Sequence, residues 1–148
     1  MPSTYTSLYY HIVYSTKERI PFIDQDWEKR LHAYLGGIIR EIDGVPDEIN
    51  GVNDHVHLLV SLKPTHTISD VLCKIKSGSS EWVHDEIKMK EFGWQEGYSA
   101  FTVSPSQLDG VRQYIRNQAE HHKKMSFKEE YVALLKKCGI KYDEKYLW

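Results

Sequence analysis

The stretch VPDEINGVNDHVHLLVSL, residues 45–62, reads as two short strands joined by a tight turn. Val45 to Val52 begins beside Pro46, while Gly51 and Asn53-Asp54 supply turn chemistry. His55 to Leu62 is the stronger strand, and Pro64 stops it. Its period of two sends His55 and His57 to one face and Val56, Leu58 and Val60 to the other. The second strand therefore has an apolar side to bury and a histidine side free for other work.

Amphipathic helices are expected on both sides of this hairpin. Upstream, Trp27, Leu31, Leu35, Ile38 and Ile42 follow the helical period behind a cap at Asp24 or Asp26, and Asp43-Gly44 ends the run. Downstream, Ile68, Val71, Leu72, Ile75, Trp82, Val83 and Ile87 trace another helix. Its middle, Ser77-Gly78-Ser79-Ser80, is small enough to let backbone or a ligand approach. LYYHIVYS, residues 8–15, is dense in aromatic and β-branched residues and apolar on both faces, as an interior strand is. Tyr98 to Ser104, between Gly97 and Pro105, is a further strand. The order β-α-β-β-α-β predicts an α+β fold with a ferredoxin-like split βαβ core and an antiparallel sheet. C-terminal helices follow: one after Pro105, and one from about Phe127 to Lys137 that stops at Gly139. Tyr146, Leu147 and Trp148 finish a polar tail.

The 148 residues, 41% hydrophobic and 27% charged, suit a single domain over 1–148. A net charge of -2 excludes a uniformly basic duplex-gripping surface and leaves local patches. Lys74, Lys76, Lys88 and Lys90 form one basic cluster; Arg112, Arg116, Lys123 and Lys124 form another. Cys73 and Cys138 are far apart and lack CxxC spacing, which argues against a disulfide scaffold or a thiolate zinc site. No secretory leader or long apolar run is evident, so a cytoplasmic location and no membrane partner are expected.

Two imidazoles on neighbouring same-face positions can share a divalent ion, although packing or hydrogen bonding is the alternative use of such a pair. In the helix after Pro105, Leu108, Val111, Ile115 and Ala119 define an expected buried stripe. Tyr114 and Gln118 lie four residues apart on one flank of it, with His121 near Tyr114 and His122 nearer the stripe. A boundary tyrosine and a solubilising glutamine would read the same way.

At these residues the chain resembles the IS200/IS605-type tyrosine transposases, within the HUH single-strand endonucleases. The likeness runs through YYHIVYSTKERI (9–20), NDHVHLLVSL (53–62), IKSGSS (75–80), WQEGY (94–98) and YIRNQ (114–118). It implies His55 and His57 as metal ligands, Gln118 as the helix-borne third ligand and Tyr114 as nucleophile. It also implies cleavage and rejoining of hairpin-flanked single-stranded DNA through a 5'-phosphotyrosine, without an energy cofactor. The expected ion is Mg²⁺ or Mn²⁺, nitrogen ligands favouring the latter. His121 is an auxiliary candidate as ligand or proton-transfer group. Asp54 either orients a histidine or caps the turn. Lys74, Lys76, Arg112 and Arg116 are the expected DNA contacts. The resemblance further implies a homodimer whose first strands join edge to edge, with active sites shared between chains. A host-adapted nuclease of repeated palindromes, a non-catalytic hairpin-binding module and a structural ferredoxin-like domain are the competing readings.

Overall fold

The computed structural model describes residues 3–147, so Trp148 lies outside the described residues. Strands β1 (Tyr9–Ser15), β2 (Val45–Val52), β3 (His55–Ser61) and β4 (Ser99–Val103) form one sheet in the order β2-β3-β1-β4. Every neighbouring pair is antiparallel, which gives the split βαβ arrangement expected from the sequence. β1 is paired on both sides. Edge-to-edge joining of first strands is thereby corrected, because the open edges of this sheet belong to β2 and β4.

Helices α1 (Gln25–Glu41) and α2 (Ile68–Trp82) cover one face of the sheet. Asp24 caps α1 through the amide of Asp26, and Thr67 caps α2 through that of Asp70. Leu31, Leu35 and Ile39 of α1 pack with Val71, Leu72 and Ile75 of α2 over Ile12, Tyr14, Val56, Leu58 and Val60. This is the principal core, and its strand members are the alternate residues read from the sequence. The small stretch in α2 is fully helical. A Cβ added at Gly78 would lie 3.0 Å from Ile38 Cδ1, so the small residue admits the neighbouring helix. The helical run expected to continue to Ile87 changes to a π turn over Val83–Ile87.

The opposite face carries the C-terminal helices α3 (Leu108–Arg116), α4 (Gln118–His121) and α5 (Phe127–Lys137). α5 opens with a capping box between Ser126 and Glu129 and ends before Gly139, whose φ is 68°. Phe127, Tyr131, Leu135 and Leu147 pack there on Val13 and Phe101. Leu59, Val103 and Ile115 form a smaller cluster beneath α3.

One continuous helix after Pro105 is not what forms. A 3₁₀ turn at Pro105–Gln107 precedes α3, and Asn117 (φ −95°, ψ 21°) separates α3 from α4. Asn50 of β2 donates its side-chain amide to the carbonyls of Ile115 (3.0 Å) and Arg116 (3.1 Å), which lie beside the break. The interruption resets the helical phase. Ala119, expected in the buried stripe, is exposed, and Gln118 is fully buried.

Candidate active site

The sheet delivers the histidine pair. Gly51 allows β2 to approach β3 at the turn: a Cβ there would sit 2.2 Å from the carbonyl oxygen of His55. His55 and His57 are both buried on the face that receives the C-terminal helices. Asp54 Oδ1 lies 2.7 Å from His55 Nδ1, and His11 Nε2 lies 2.8 Å from His57 Nδ1. Both partners engage Nδ1, so each ring directs Nε2 toward the same point. Asp54 thus takes the orienting role weighed for it. His11 was missed by the sequence reading, although its alternation with Val13 places it on the histidine face of β1.

Glu130 of α5 stands at that point, 2% exposed. Its Oε1 is 3.2 Å from His55 Nε2, 3.0 Å from His57 Nε2 and 3.0 Å from His122 Nε2. Its Oε2 accepts hydrogen bonds from the Tyr114 hydroxyl and from Gln118 Nε2, the latter at 3.0 Å. Gln118 Oε1 lies 3.0 Å from His55 Nε2. The expected residues His55, His57, Gln118 and Tyr114 therefore do meet, around a carboxylate that the sequence reading passed over. Glu130 falls three residues after Phe127 and five before Leu135, on the stripe that α5 buries. An acidic side chain on an apolar stripe was the available signal.

His121 is placed differently from the expectation of a metal ligand. Its ring packs on that of Tyr114, with centroids 4.6 Å apart, while His122 turns into the cluster. Both histidines lie where the helical period put them, His121 beside Tyr114 and His122 toward the buried side.

The donor set suits a divalent cation. His55, His122 and Glu130 have ligand atoms within 4.8 Å of one another, His57 meets the same carboxylate oxygen, and the Gln118 oxygen adjoins His55. Several imidazoles with one carboxylate favour a first-row transition ion such as Mn²⁺ over Mg²⁺. A groove of about 600 Å³ lined by Ile23, Val52, Asn53 and Lys123 reaches His122, giving the cluster a border with solvent.

Electrostatics follow from this crowding. Burial by itself would raise the Glu130 carboxyl, but hydrogen bonds from His122, His55 and His57 hold it well below the usual carboxylate range. Burial works against a charged His55, and its bonds to Asp54 and Glu130 outweigh that, leaving it above its ordinary value. Burial, followed by the charge of Glu130, pushes the Tyr114 phenol up. Burial also holds His57 down to about 4, against the pull of Glu130. His11 is held down to about 3 by burial and then by repulsion from His57.

A pH dependence of stability follows for the metal-free protein. Below about 6.5 the unfolded chain protonates His11 and His57 while the folded chain resists, so the unfolded state binds more protons. Stability should fall as pH drops from 6.5 toward 4, with His11 and His57 contributing together as a hydrogen-bonded pair. Thermal melts across this window check it: His11→Gln should flatten the profile, and an unchanged slope in that variant contradicts the assignment.

Three of the four expected DNA-contacting cations are engaged within the protein. Arg112 forks onto Asp47 at 2.7 and 2.8 Å and also meets Asp109, and Arg116 pairs with Glu48 at 3.1 Å. Lys76 Nζ donates to the carbonyls of Gln95, Glu96 and Gly97 and lies over the rings of Tyr14 and Tyr98. Lys76 thereby ties α2 to the segment before β4. Lys74 is exposed.

An antiparallel split βαβ sheet carrying a histidine pair opposite a helix-borne tyrosine is an arrangement suited to metal-assisted phosphoryl transfer. Comparison gives the family: residues 4–118 match the model described as "Transposase IS200 like", and the chain belongs to that family. It is an enzyme of the tyrosine transposase class, with a cluster able to chelate a divalent metal. The chain is 27% identical over 119 residues to the ISDra2 transposase TnpA of Deinococcus radiodurans, covering 75% of this chain and 84% of that protein. A crystal structure of a Deinococcus radiodurans protein assigned as a transposase superposes with a TM-score of 0.63 at 24% identity, over 80% of this chain and 95% of that one. A REP-associated tyrosine transposase bound to a REP hairpin gives a TM-score of 0.62 at 13% identity, over 82% and 73% of the two chains. These two structural likenesses speak for the fold. The match ends at Gln118, so His122 and Glu130 lie beyond it.

Proposed function

We propose that this domain cuts and rejoins single-stranded DNA with hairpin ends, using Tyr114 as nucleophile beside a divalent ion held by His55, His57 and Gln118 with His122 and Glu130. The observation that carries the reading is the meeting of the Tyr114 hydroxyl and the His55 and His57 imidazoles on one carboxylate, within a chain of this family. A bound divalent cation supplies charge withdrawal from the scissile phosphate and a fixed seat for its oxygens. Asp54 and His11 keep the two Nε2 atoms directed into the site.

In the reaction, the Tyr114 oxygen bonds to phosphorus, the P–O3' bond breaks, the tyrosine proton is lost and the released 3'-oxygen gains one. The 5' end stays on the tyrosine as a phosphodiester. A different 3'-hydroxyl can then attack that bond, which restores the phenol and joins two strands without ATP. A water activated by the metal would instead hydrolyse the DNA, which is why a tyrosine suits rejoining.

The neighbour solved with a REP hairpin supports a hairpin-bearing substrate. A homodimer belongs to the same reading; with β1 paired on both sides, a sheet continuous between copies would run through β2 or β4. Tyr114 adjoins His57 of its own chain, with ring centroids 5.7 Å apart, so active sites shared between chains would require α3 to leave that position.

The test is incubation with end-labelled single-stranded hairpin DNA. A denaturation-resistant protein-DNA adduct should form with Mn²⁺ or Mg²⁺ and vanish with a chelator, whereas fully paired DNA should give none. Failure to form any adduct across a randomised set of flanking sequences would defeat the proposal.

A further inference from the structure

Glu130 has two oxygens with different company. Oε1 is where His55, His57 and His122 converge, and Oε2 accepts from the Tyr114 hydroxyl and Gln118. We propose that Glu130 aligns the nucleophile: its carboxylate ties the Tyr114 hydroxyl to the histidine cluster, making α5 part of the working site. This rests on the function proposed for Tyr114.

The physical case begins with what holds each partner. Packing confines the Tyr114 ring, whose centroid lies 6.1 Å from that of His11, 5.7 Å from His57 and 4.6 Å from His121. None of these contacts chooses between the two in-plane orientations open to the O–H bond of a phenol. Accepting that proton fixes the torsion and leaves the oxygen lone pairs facing away from Glu130, available to an incoming phosphorus. Glu130 is itself held. Phe127 stacks on His55 with centroids 3.9 Å apart, and Ser99 Oγ hydrogen-bonds Tyr131 on either side of the carboxylate in sequence. Leu135 and Leu147 seat the rest of α5 and the tail on Val13 and Phe101. The arrangement couples three segments: β3 brings the imidazoles, α3 the phenol and α5 the group that joins them.

Glu130 follows the last family-matched residue by twelve positions, so the acceptor for Tyr114 comes from the segment after the matched residues. Misplacing a reacting group by about 1 Å costs on the order of 100-fold in rate, which sets the expected effect.

The experiment uses the full chain and single-turnover adduct formation at a Mn²⁺ concentration that calorimetry shows to saturate each variant. Glu130→Ala should form adduct about 100-fold more slowly than the wild type while keeping hairpin affinity within twofold. Added formate, a carboxylate small enough for the vacated space, should recover at least about tenfold of that loss. Glu130→Gln keeps the side-chain shape should the alanine variant not fold. It should also be at least about tenfold slow, because an amide has one oxygen and cannot accept on both sides. In the metal-free protein, proton NMR should show a protected Tyr114 hydroxyl resonance, identified by its loss in Tyr114→Phe, that Glu130→Ala removes.

A rate within threefold of the wild type in both variants overturns the proposal, leaving Glu130 to serve only the ion. A faster rate also overturns it, since the carboxylate then blocks the phosphate position. A slow alanine variant that formate leaves unchanged overturns it in favour of a purely structural contact. A wild-type protein that forms no adduct defeats the underlying function instead, which keeps the two failures apart.

Discussion

Tyr114→Phe should abolish the covalent DNA adduct, lowering its formation by on the order of 10³-fold or more, with hairpin binding and folding preserved. The substitution removes one oxygen. Phenylalanine keeps the ring contacts with His11, His57 and His121, and Ile115 remains buried beside it. The lost hydrogen bond to Glu130 costs about 1 kcal/mol, because the carboxylate keeps Gln118 and three histidines as partners. Melting temperature should therefore move little while the adduct disappears from denaturing gels. An undiminished adduct would place the nucleophile on another residue.

His57→Ala should eliminate cleavage and lower Mn²⁺ affinity while sparing hairpin binding, since its imidazole is fully buried in the cluster and out of reach of a ligand on the surface. Unlike Tyr114→Phe, this change disturbs packing. It opens a space in the sheet face and leaves His11 Nε2 without its partner, for a combined cost of about 2 to 3 kcal/mol. His57→Gln fills most of the volume and separates the loss of a ligand from the loss of a fold. Calorimetry with Mn²⁺, a hairpin-binding titration and the adduct assay, run on both variants, read the three effects independently. Cleavage that persists, or hairpin affinity that falls in step with cleavage in the well-folded glutamine variant, contradicts this division of roles.

The histidine pair was legible because strand alternation is a local rule: His55, Val56 and His57 alone determine which side chains share a face. The split βαβ order was legible for the same reason, as each element carries its own period. Helix phase beyond Asn117 was not. The interruption there is coupled to Asn50, a β2 residue that reaches carbonyls more than sixty positions away, and no periodicity in residues 105–121 encodes that contact. Ala119 was consequently expected in the buried stripe and is exposed, whereas His121 stands beside Tyr114 as expected. Glu130 was passed over: Glu129 caps the helix, and its neighbour Glu130 turns inward to meet groups on other elements. Arg112 and Arg116 were read as phosphate contacts from their places beside Tyr114; their ion pairs with Asp47 and Glu48 join residues more than sixty positions apart, which no local pattern displays.

The sheet also separates two kinds of tolerance to substitution. On the α1 and α2 side, side chains meet a closed apolar layer, so drift there should register as a change in how much heat the protein withstands. On the other side the same strands carry His11, His55 and His57 toward a segment past the family-matched residues, and drift at those polar positions should register as turnover and choice of ion in addition to any loss of packing against Val13 and Phe101. A lineage could thus retune its chemistry through the polar positions among about thirty C-terminal residues, provided the apolar ones that seat α5 on the sheet keep their volume.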